Sequence, residues 1–295
     1  MRILVAMMVA LAIAGCATRA PVNAKDSSVP LDITTGRTMV NLALPDGQEG
    51  AFILDTGAQG PVVTQSAVDA MGLEIIGEAL LGSPMGGEPQ RAFLVRLDGV
   101  TLGCVAPVNR DAVVAPAGVL PRETGLGVLA PTQWADRVVT LDLSANRLWL
   151  GQQPRFPIAT WHALSGRNLT EAEIEVGGER LQAHFDTGNS RGVVLPLRLA
   201  QALGLADRLA PTDPIRTVDA STPAFSAPGE VTLRVGDVVM TARDVIFVDT
   251  PMANIGAPAL RGFALVLDTP NRRWGLVRPN EPRSKAGQCL GCQTS

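Results

Sequence analysis

The triplet Asp-Thr-Gly occurs twice in the chain, at Asp55-Thr56-Gly57 and at Asp186-Thr187-Gly188. Two aspartates brought close together cannot both ionise easily, so such a pair shares one proton over a useful pH range. A water molecule between the two carboxyls would meet a base that takes its proton and an acid that polarises a carbonyl group. The repeated triplet therefore predicts hydrolysis of peptide bonds without a covalent intermediate, with Asp55 and Asp186 as the catalytic residues.

The neighbours of the two aspartates fit this chemistry. Gly57 and Gly188 permit a tight turn and a close approach of the backbone to a partner. The hydroxyl groups of Thr56 and Thr187 can hold the two loops together by hydrogen bonds. We expect these four residues, together with Ala58 and Asn189, which follow the two triplets, to support the active-site loops.

The segments around the triplets predict an internal duplication with an offset of 131 residues, the difference between positions 55 and 186. A hairpin signal precedes each triplet, Pro45-Asp46-Gly47 in the first half and Gly177-Gly178 in the second. A short helical pattern that ends at Gly72 or Gly204 follows each triplet. A repeat of this length indicates two homologous lobes and not a solenoid.

The composition favours a mainly β fold, because the 295 residues include 30 Gly and 22 Pro between short alternating segments. Each lobe is predicted to be a small β-barrel with one short helix. The predicted regions are a signal peptide (1–15), a flexible tether (16–30), an N-terminal lobe (31–153), a linker (154–167), a C-terminal lobe (168–278) and a polar tail (279–295).

The N-terminus has the features of an export signal. Arg2 is followed by an apolar stretch that is short for a membrane span, and then by Ile13-Ala14-Gly15-Cys16. This tetrapeptide resembles a bacterial lipobox, in which Cys16 becomes lipidated. Ala17 at the next position resembles lipoproteins sorted to the outer membrane, so we expect an anchored protein that faces the periplasm. The alternative is an ordinary secretory signal in which Cys16 is incidental.

No cofactor or metal is expected. Cys104 follows a predicted strand, where a lone cysteine is usually a small core residue. Cys289 and Cys292 form one CxxC near the end of the chain, which favours a local disulfide or a tail without function over a zinc site. The two histidines, His162 and His184, are too widely spaced for a His-x-x-x-His zinc motif.

Charge and duplication limit the expected partners. The net charge is −3, without a basic stripe, so nucleic-acid binding has no support. The expected partner is a peptide or protein substrate, and the lipid anchor would be the contact with the membrane. Because both lobes lie on one chain, a dimer is not needed to assemble the aspartate pair, and we expect a monomer.

At these motifs the chain resembles the pepsin/retropepsin superfamily, and most closely bacterial retropepsin-like proteins with both lobes on one polypeptide. The similar segments are Phe52 to Ala58, Phe185 to Asn189, and Asn254-Ile255-Gly256, which matches a later apolar-apolar-Gly element. In the first half Val128-Leu129-Ala130 has Ala in place of that Gly. The resemblance implies a bilobal β fold, a substrate groove between the lobes and endopeptidase activity at both aspartates.

The resemblance also implies a hairpin flap over the cleft. Its best match is Leu81 to Glu88, with Gly82, Ser83, Pro84, Met85, Gly86 and Gly87 as candidate flap residues. An ordinary turn is the alternative. Ala58 departs from the family because acid proteases carry a hydroxyl residue there, whereas Asn189 in the second loop can still donate a hydrogen bond. Losing a donor at Asp55 should raise its pKa, which predicts activity at a less acidic pH than that of pepsin.

Two other functions compete with proteolysis. Gly188 to Gly192 matches the Gly-x-Ser-x-Gly motif of serine hydrolases, but no histidine follows Ser190 to complete a triad. A peptide-binding or scaffold protein that keeps the fold without catalysis is the more serious alternative. Retention of both triplets favours the protease, because a binding protein has no use for two adjacent carboxyls.

Overall fold

The computed structural model describes residues 28–82, 88–103, 105, 110–120, 125–166, 169–216 and 221–279. Within these residues the chain is mainly β and forms two lobes with the same strand arrangement. The prediction of a bilobal β fold with one short helix in each lobe is thereby confirmed.

The first half of the chain has the strands Ser28–Pro30 (β1), Met39–Ala43 (β2), Glu49–Leu54 (β3), Val62–Val63 (β4), Ile75–Leu81 (β5), Gln90–Arg96 (β6), Asp111–Val114 (β7), Gly127–Leu129 (β8), Val138–Asp142 (β9) and Arg147–Gly151 (β10). Seven of them form a sheet with the order β2-β3-β8-β4-β7-β6-β5, and β1, β9 and β10 belong to a separate sheet.

The second half repeats this arrangement in the order β12-β13-β18-β14-β17-β16-β15, with an additional β12–β16 pairing. Its strands are His162–Ala163 (β11), Glu171–Val176 (β12), Glu179–Asp186 (β13), Val193–Pro196 (β14), Ala210–Arg216 (β15), Ser221–Val235 (β16), Val238–Val248 (β17), Ala253–Gly256 (β18), Ala264–Asp268 (β19) and Arg273–Val277 (β20).

Every strand of the first half has its counterpart ten strands later, which shows that the duplication covers the whole lobe. A six-stranded sheet with the order β1-β10-β9-β19-β20-β11 joins the halves, and it is symmetric under the same exchange. Its central strands β9 and β19 pair antiparallel and are buried along their full length. The lobes are therefore held together by a continuous sheet.

One short helix lies in each lobe, Gln65–Met71 (α1) and Leu199–Ala202 (α2). Thr64 caps the N-terminus of α1 by accepting a hydrogen bond from the Ala67 N–H (3.2 Å). Gly72 ends α1 in the left-handed conformation with φ 61°, as the sequence pattern predicts. In α2 the terminal cap is Leu203, and Gly204 (φ 65°) follows it by one residue.

The packing behind the two Asp-Thr-Gly loops is continuous between the lobes. One cluster of buried apolar side chains runs through both lobes and the joining sheet. Within it Phe185, next to the second triplet, packs against Trp274 of β20 with ring centroids 4.8 Å apart. Burial on this scale makes the loops that carry the two aspartates rigid. In the part of the chain that the structure describes, no helix has the length and apolar character needed to span a membrane.

Candidate active site

The two aspartates lie at equivalent ends of equivalent strands. Asp55 follows β3, and Asp186 is the last residue of β13. The paired strands β8 and β18 run parallel to β3 and β13, and the Asp55 N–H donates to the Leu129 carbonyl (2.8 Å). Both carboxyls line the same cavity between the lobes. The structure therefore brings together the two residues that the sequence singled out.

The glycine of each triplet packs against the carboxyl of the opposite lobe. A Cβ atom on Gly57 would lie 2.8 Å from Cγ of Asp186, and one on Gly188 would lie 2.6 Å from Cγ of Asp55. Neither distance leaves room for a side chain. Glycine is required at both positions because of this close approach.

The two threonines of the triplets form a reciprocal network across the lobes. The Thr56 N–H donates to Oγ1 of Thr187, and the Thr187 N–H donates to Oγ1 of Thr56, both at 3.1 Å. Each hydroxyl in turn donates to a carbonyl of the other lobe, Thr56 to Phe185 and Thr187 to Leu54, both at 2.6 Å. All four groups are buried, so the network fixes the spacing of the loops.

Two further threonines support this network, and the sequence-based predictions included neither. Thr170 Oγ1 lies 2.6 Å from the Phe185 carbonyl and 3.2 Å from the Thr56 carbonyl. The Thr38 N–H donates to the Thr187 carbonyl at 3.0 Å. Both threonines are fully buried in strand-like segments ahead of the triplets. No local sequence signal identifies either role. Thr38 acts through its backbone N–H, and its hydroxyl has no hydrogen-bond partner among the described residues, while Thr170 acts through contacts made in the fold.

Asp186 accepts hydrogen bonds on both of its carboxyl oxygens. Oδ1 accepts from the N–H groups of Gly188 and Asn189, both at 3.0 Å. Oδ2 accepts from Nδ2 of Asn254 at 2.8 Å. The amide of Asn189 was expected to donate, but its side chain donates to Oδ1 of Asn254 (2.7 Å) and reaches Asp186 only through that residue.

Asp55 has a poorer set of donors. Its Oδ1 accepts from the Gly57 N–H at 2.6 Å, and the carboxyl also accepts from the Gly188 N–H of the opposite loop, but no side-chain amide among the described residues donates to it. The Ala58 N–H, the counterpart of the Asn189 N–H, donates to the backbone carbonyl of Asp55 at 3.3 Å. Val128 takes the strand position of Asn254, because it is paired with Ile53 as Asn254 is paired with His184. The two carboxyls therefore differ in environment although their loops share one fold.

The pKa of Asp55 is raised well above the ordinary value for an aspartate. Burial of the carboxyl is the largest cause, followed by the negative charge of Asp186 and a hydrogen bond with its side chain. The N–H groups of Gly57 and Gly188 oppose this rise. The direction agrees with the sequence-based expectation, but burial exceeds every other cause.

The cavity around the two carboxyls has a volume of about 960 Å³. Both lobes contribute apolar walls, through Leu81, Val113 and Leu120 on one side and through Val194 and Ile215 on the other. A space of this size accommodates several residues of an extended chain.

The predicted flap lies only partly within the described residues. Gly82 follows β5 and lines the cavity with Leu80 and Leu81, and Pro89 lines it from the other side of the hairpin. Ser83, Pro84, Met85, Gly86 and Gly87 lie outside the described residues. The role of this segment as a flap stays a prediction.

A second hairpin borders the same cavity, and the sequence-based predictions did not include it. It consists of β15 and β16, the counterparts of β5 and β6, and it contributes Asp213 to Arg216 to the cavity wall. The symmetry of the duplication was the signal that could have predicted it. Both lobes therefore place a hairpin beside the carboxyls.

The alternative sites find no structural support in the described residues. Ser190 is followed by strand β14 and not by the helix that a nucleophile elbow needs. His162 stacks on Trp274 (5.1 Å), and His184 is buried. No group of three or more His, Cys, Asp or Glu side chains in these parts of the chain could hold a metal ion. Cys16, Cys104, Cys289 and Cys292 lie outside them.

Comparison with protein families gives one match. A family model described as aspartyl protease matches residues 40–129 and 172–259, which together make up more than half of the chain. Each stretch contains one Asp-Thr-Gly triplet and ends at or just after β8 or β18. Comparison with curated proteins gives no significant match.

Proposed function

The chain belongs to the aspartyl protease family, and we propose that it is an aspartic endopeptidase that cleaves peptide bonds in the cavity between its lobes. One observation carries this proposal: Asp55 and Asp186 face one cavity, each packed against the glycine of the other loop. This geometry makes the two carboxyls a single titrating unit.

In the proposed reaction the pair holds one proton, and a water molecule lies between the two carboxyls. The ionised carboxylate takes a proton from this water while its oxygen attacks the peptide carbonyl carbon. The carboxylic acid gives its proton to the carbonyl oxygen, which produces a tetrahedral diol. Transfer of a proton to the peptide nitrogen then breaks the C–N bond and releases an acid and an amine.

The energetics of the site favour catalysis over the alternative of a non-catalytic binding protein. Holding two carboxyls side by side in a buried setting is unfavourable, because burial penalises charge and the charges repel each other. The threonine network supports the pair in spite of this cost. Peptide binding alone gives no reason for such an arrangement.

The test is the rate of peptide cleavage by three variants of the purified protein. Asp55→Asn and Asp186→Asn should each lower kcat/KM on a peptide library by about 10³-fold or more, because each removes one partner of the acid–base pair. Asp207→Asn alters an exposed aspartate away from the cavity and should leave the rate unchanged. Cleavage that persists in either dyad variant would show that the assignment is wrong.

Membrane anchoring is a separate proposal that rests on the sequence around Cys16. We propose that the chain is exported and lipidated there, and that its two lobes face the periplasm. Mass spectrometry of the protein from a bacterial membrane fraction should show a lipid on Cys16, and Cys16→Ser should release the protein into the soluble fraction. An unmodified N-terminus at another residue would instead support an ordinary secretory signal.

A further inference from the structure

A chain of two asparagine side chains reaches Asp186 from the floor of the cavity. Oδ1 of Asn189 accepts from the Arg191 N–H at 2.8 Å. Nδ2 of Asn189 donates to Oδ1 of Asn254 at 2.7 Å, and Nδ2 of Asn254 donates to Oδ2 of Asp186 at 2.8 Å. The first of these bonds fixes the orientation of the Asn189 amide, and this in turn fixes which atoms donate and accept in the other two.

The orientation of both amides follows from the backbone of Arg191. A backbone N–H can only donate, so the atom of Asn189 that faces it must be the oxygen. The NH₂ group of Asn189 then faces Asn254, whose oxygen must turn toward it. The NH₂ group of Asn254 is left to face Asp186, so this carboxyl receives a donor whose identity is fixed.

Donors directed at both oxygens favour the ionised form of Asp186. The Asn254 amide contacts Oδ2, while two backbone N–H groups contact Oδ1. A hydrogen bond donated to a carboxyl is stronger when the carboxyl is ionised, so the three donors stabilise the charged form more than the neutral form. The second loop is therefore built to hold a negative charge.

The first lobe lacks this pair of amides. Ala58 stands where the second lobe has Asn189, and Val128 stands where it has Asn254. Neither side chain can donate a hydrogen bond. Asp55 keeps the backbone N–H groups of Gly57 and Gly188 as donors, and its burial favours the neutral form.

We propose that Asn254, oriented by Asn189, is a positioning residue that keeps Asp186 ionised and thereby leaves the shared proton on Asp55. This inference rests on the proposed function for its catalytic meaning. It assigns Asp186 as the base that takes the proton of the water. It assigns Asp55 as the acid that donates to the peptide carbonyl.

Other ionisable groups near Asp186 set the background for this effect. Arg37 donates from Nε to the Gly188 carbonyl at 3.1 Å, and Arg191 lines the cavity. Asp55 faces Asp186 from the first lobe, and the buried His184 lies two residues before it on β13. Replacement of Asn254 leaves all four groups in place, so a change in titration reports on the amide.

The experiment compares Asn254→Val with Asn254→Thr. Valine reproduces the first lobe, and threonine has nearly the same shape but keeps a hydroxyl donor. Carboxyl titration by NMR with ¹³C-labelled aspartate should show the lower apparent pKa of the pair raised by about one unit in Asn254→Val. Asn254→Thr should show a smaller rise. The acid limb of the pH profile of kcat/KM should move in the same way.

Two more variants complete the design. Asn189→Ala should shift the lower pKa in the same direction by a smaller amount, and combining it with Asn254→Val should add little, because both act through one hydrogen bond. Asn41→Val removes an exposed asparagine of β2 and should change nothing. If Asn254→Val does not fold, Asn254→Thr and Asn189→Ala still decide the matter.

The NMR titration separates this inference from the proposed function, since it needs no substrate. An unchanged lower pKa in a folded Asn254→Val or Asn189→Ala protein overturns the positioning role even when peptides are cleaved. The expected shift in a protein that cleaves no peptide supports the positioning role and contradicts the proposed function.

Discussion

The two Asp-Thr-Gly loops share one backbone design but differ in the hydrogen bonds that reach their carboxyls. Asp186 accepts from two backbone N–H groups and from the Asn254 amide, whereas Asp55 accepts from the backbone N–H groups of Gly57 and Gly188. The duplication therefore supplies the shared geometry, and divergence after it supplies the difference in hydrogen bonding.

The same contrast extends into the cavity wall. After the first triplet the cavity is lined by Gln59 and Gly60, and after the second by Ser190 and Arg191. Arg191 makes no ion pair within the residues that the structure describes. The second lobe thus adds positive charge where the first lobe is neutral.

The largest effect is expected where the lobes are most alike. Gly57→Ala and Gly188→Ala should each lower kcat/KM by about 10²-fold or more, because the new methyl group displaces the carboxyl of the opposite lobe. Gly77→Ala is the control, since no other group lies within 4 Å of the place its methyl group would take. Peptide cleavage rates measure the difference. If neither Gly57→Ala nor Gly188→Ala lowered the cleavage rate, the close approach of each glycine to the opposite carboxyl would be contradicted.

The threonine network should show unequal effects in the two lobes. Thr56→Val and Thr187→Val each leave a buried N–H without its hydroxyl partner. Thr187→Val also removes the hydroxyl that donates to the Leu54 carbonyl, whereas in Thr56→Val the Phe185 carbonyl keeps the Thr170 hydroxyl at 2.6 Å. Both substitutions should lower the free energy of unfolding by about 2–4 kcal/mol, with the larger loss in Thr187→Val, measured by chemical denaturation. Thr232→Val, at an exposed position of β16, should have little effect. A larger loss in Thr56→Val would contradict this account of the network.

Adding an amide to the first lobe should reduce the contrast between the carboxyls. In Val128→Asn the new side chain can donate to Asp55 and favour its ionised form. Since Asp55 must be protonated to act as the acid, the alkaline limb of the pH profile of kcat/KM should move to lower pH by about one pH unit. Movement of the acid limb instead would contradict the assignment of the proton to Asp55.

The raised pKa of Asp55 has a consequence for stability. Between the ordinary aspartate pKa and the raised one, the folded protein holds a proton that the unfolded chain has lost, so stability falls as pH rises through this interval. Asp55→Asn removes the titrating group, and its melting temperature should exceed that of the wild type above this interval. Asp207→Asn serves as the control. If the stability of Asp55→Asn fell more steeply with pH than that of the wild type, the raised pKa of Asp55 would be contradicted.

The smallest effect is expected for substrate charge. If Arg191 makes the second-lobe side attractive to acidic side chains, peptides with Glu should be cleaved about fivefold better than matched peptides with Gln at one position. Arg191→Met should remove this preference, and Arg234→Met, at an exposed position of β16, should keep it. An unchanged preference for Glu over Gln in Arg191→Met would show that another group of the protein binds the acidic side chain of the substrate.

Much of the fold could be predicted from local patterns. The two triplets, the hairpin at Gly177-Gly178 and the helix stop at Gly72 each depend on a few neighbouring residues, and together they reveal the duplication. Family membership follows from the same motifs. Cys16 and most of the predicted flap lie outside the described residues, so the anchor and the flap stay predictions.

The contacts that distinguish the two carboxyls could not be predicted in this way. Asn254 lies 68 residues after Asp186, and it reaches that carboxyl only because β18 runs parallel to β13. In the sequence it stands inside an apolar-apolar-Gly pattern, where its amide has no evident role. The roles of Thr38 and Thr170 likewise depend on contacts between lobes and strands that no local pattern shows.

The most direct test of the central claim is a pH titration of the two carboxyls by NMR, in the wild type and in Asp186→Asn. If Asp55 and Asp186 form one unit, the wild type should show two steps, with the upper one far above the ordinary aspartate pKa. In Asp186→Asn the remaining step should lie below that upper step, since the charge of Asp186 is gone. Two independent steps near the ordinary value, unchanged by the substitution, would contradict the claim.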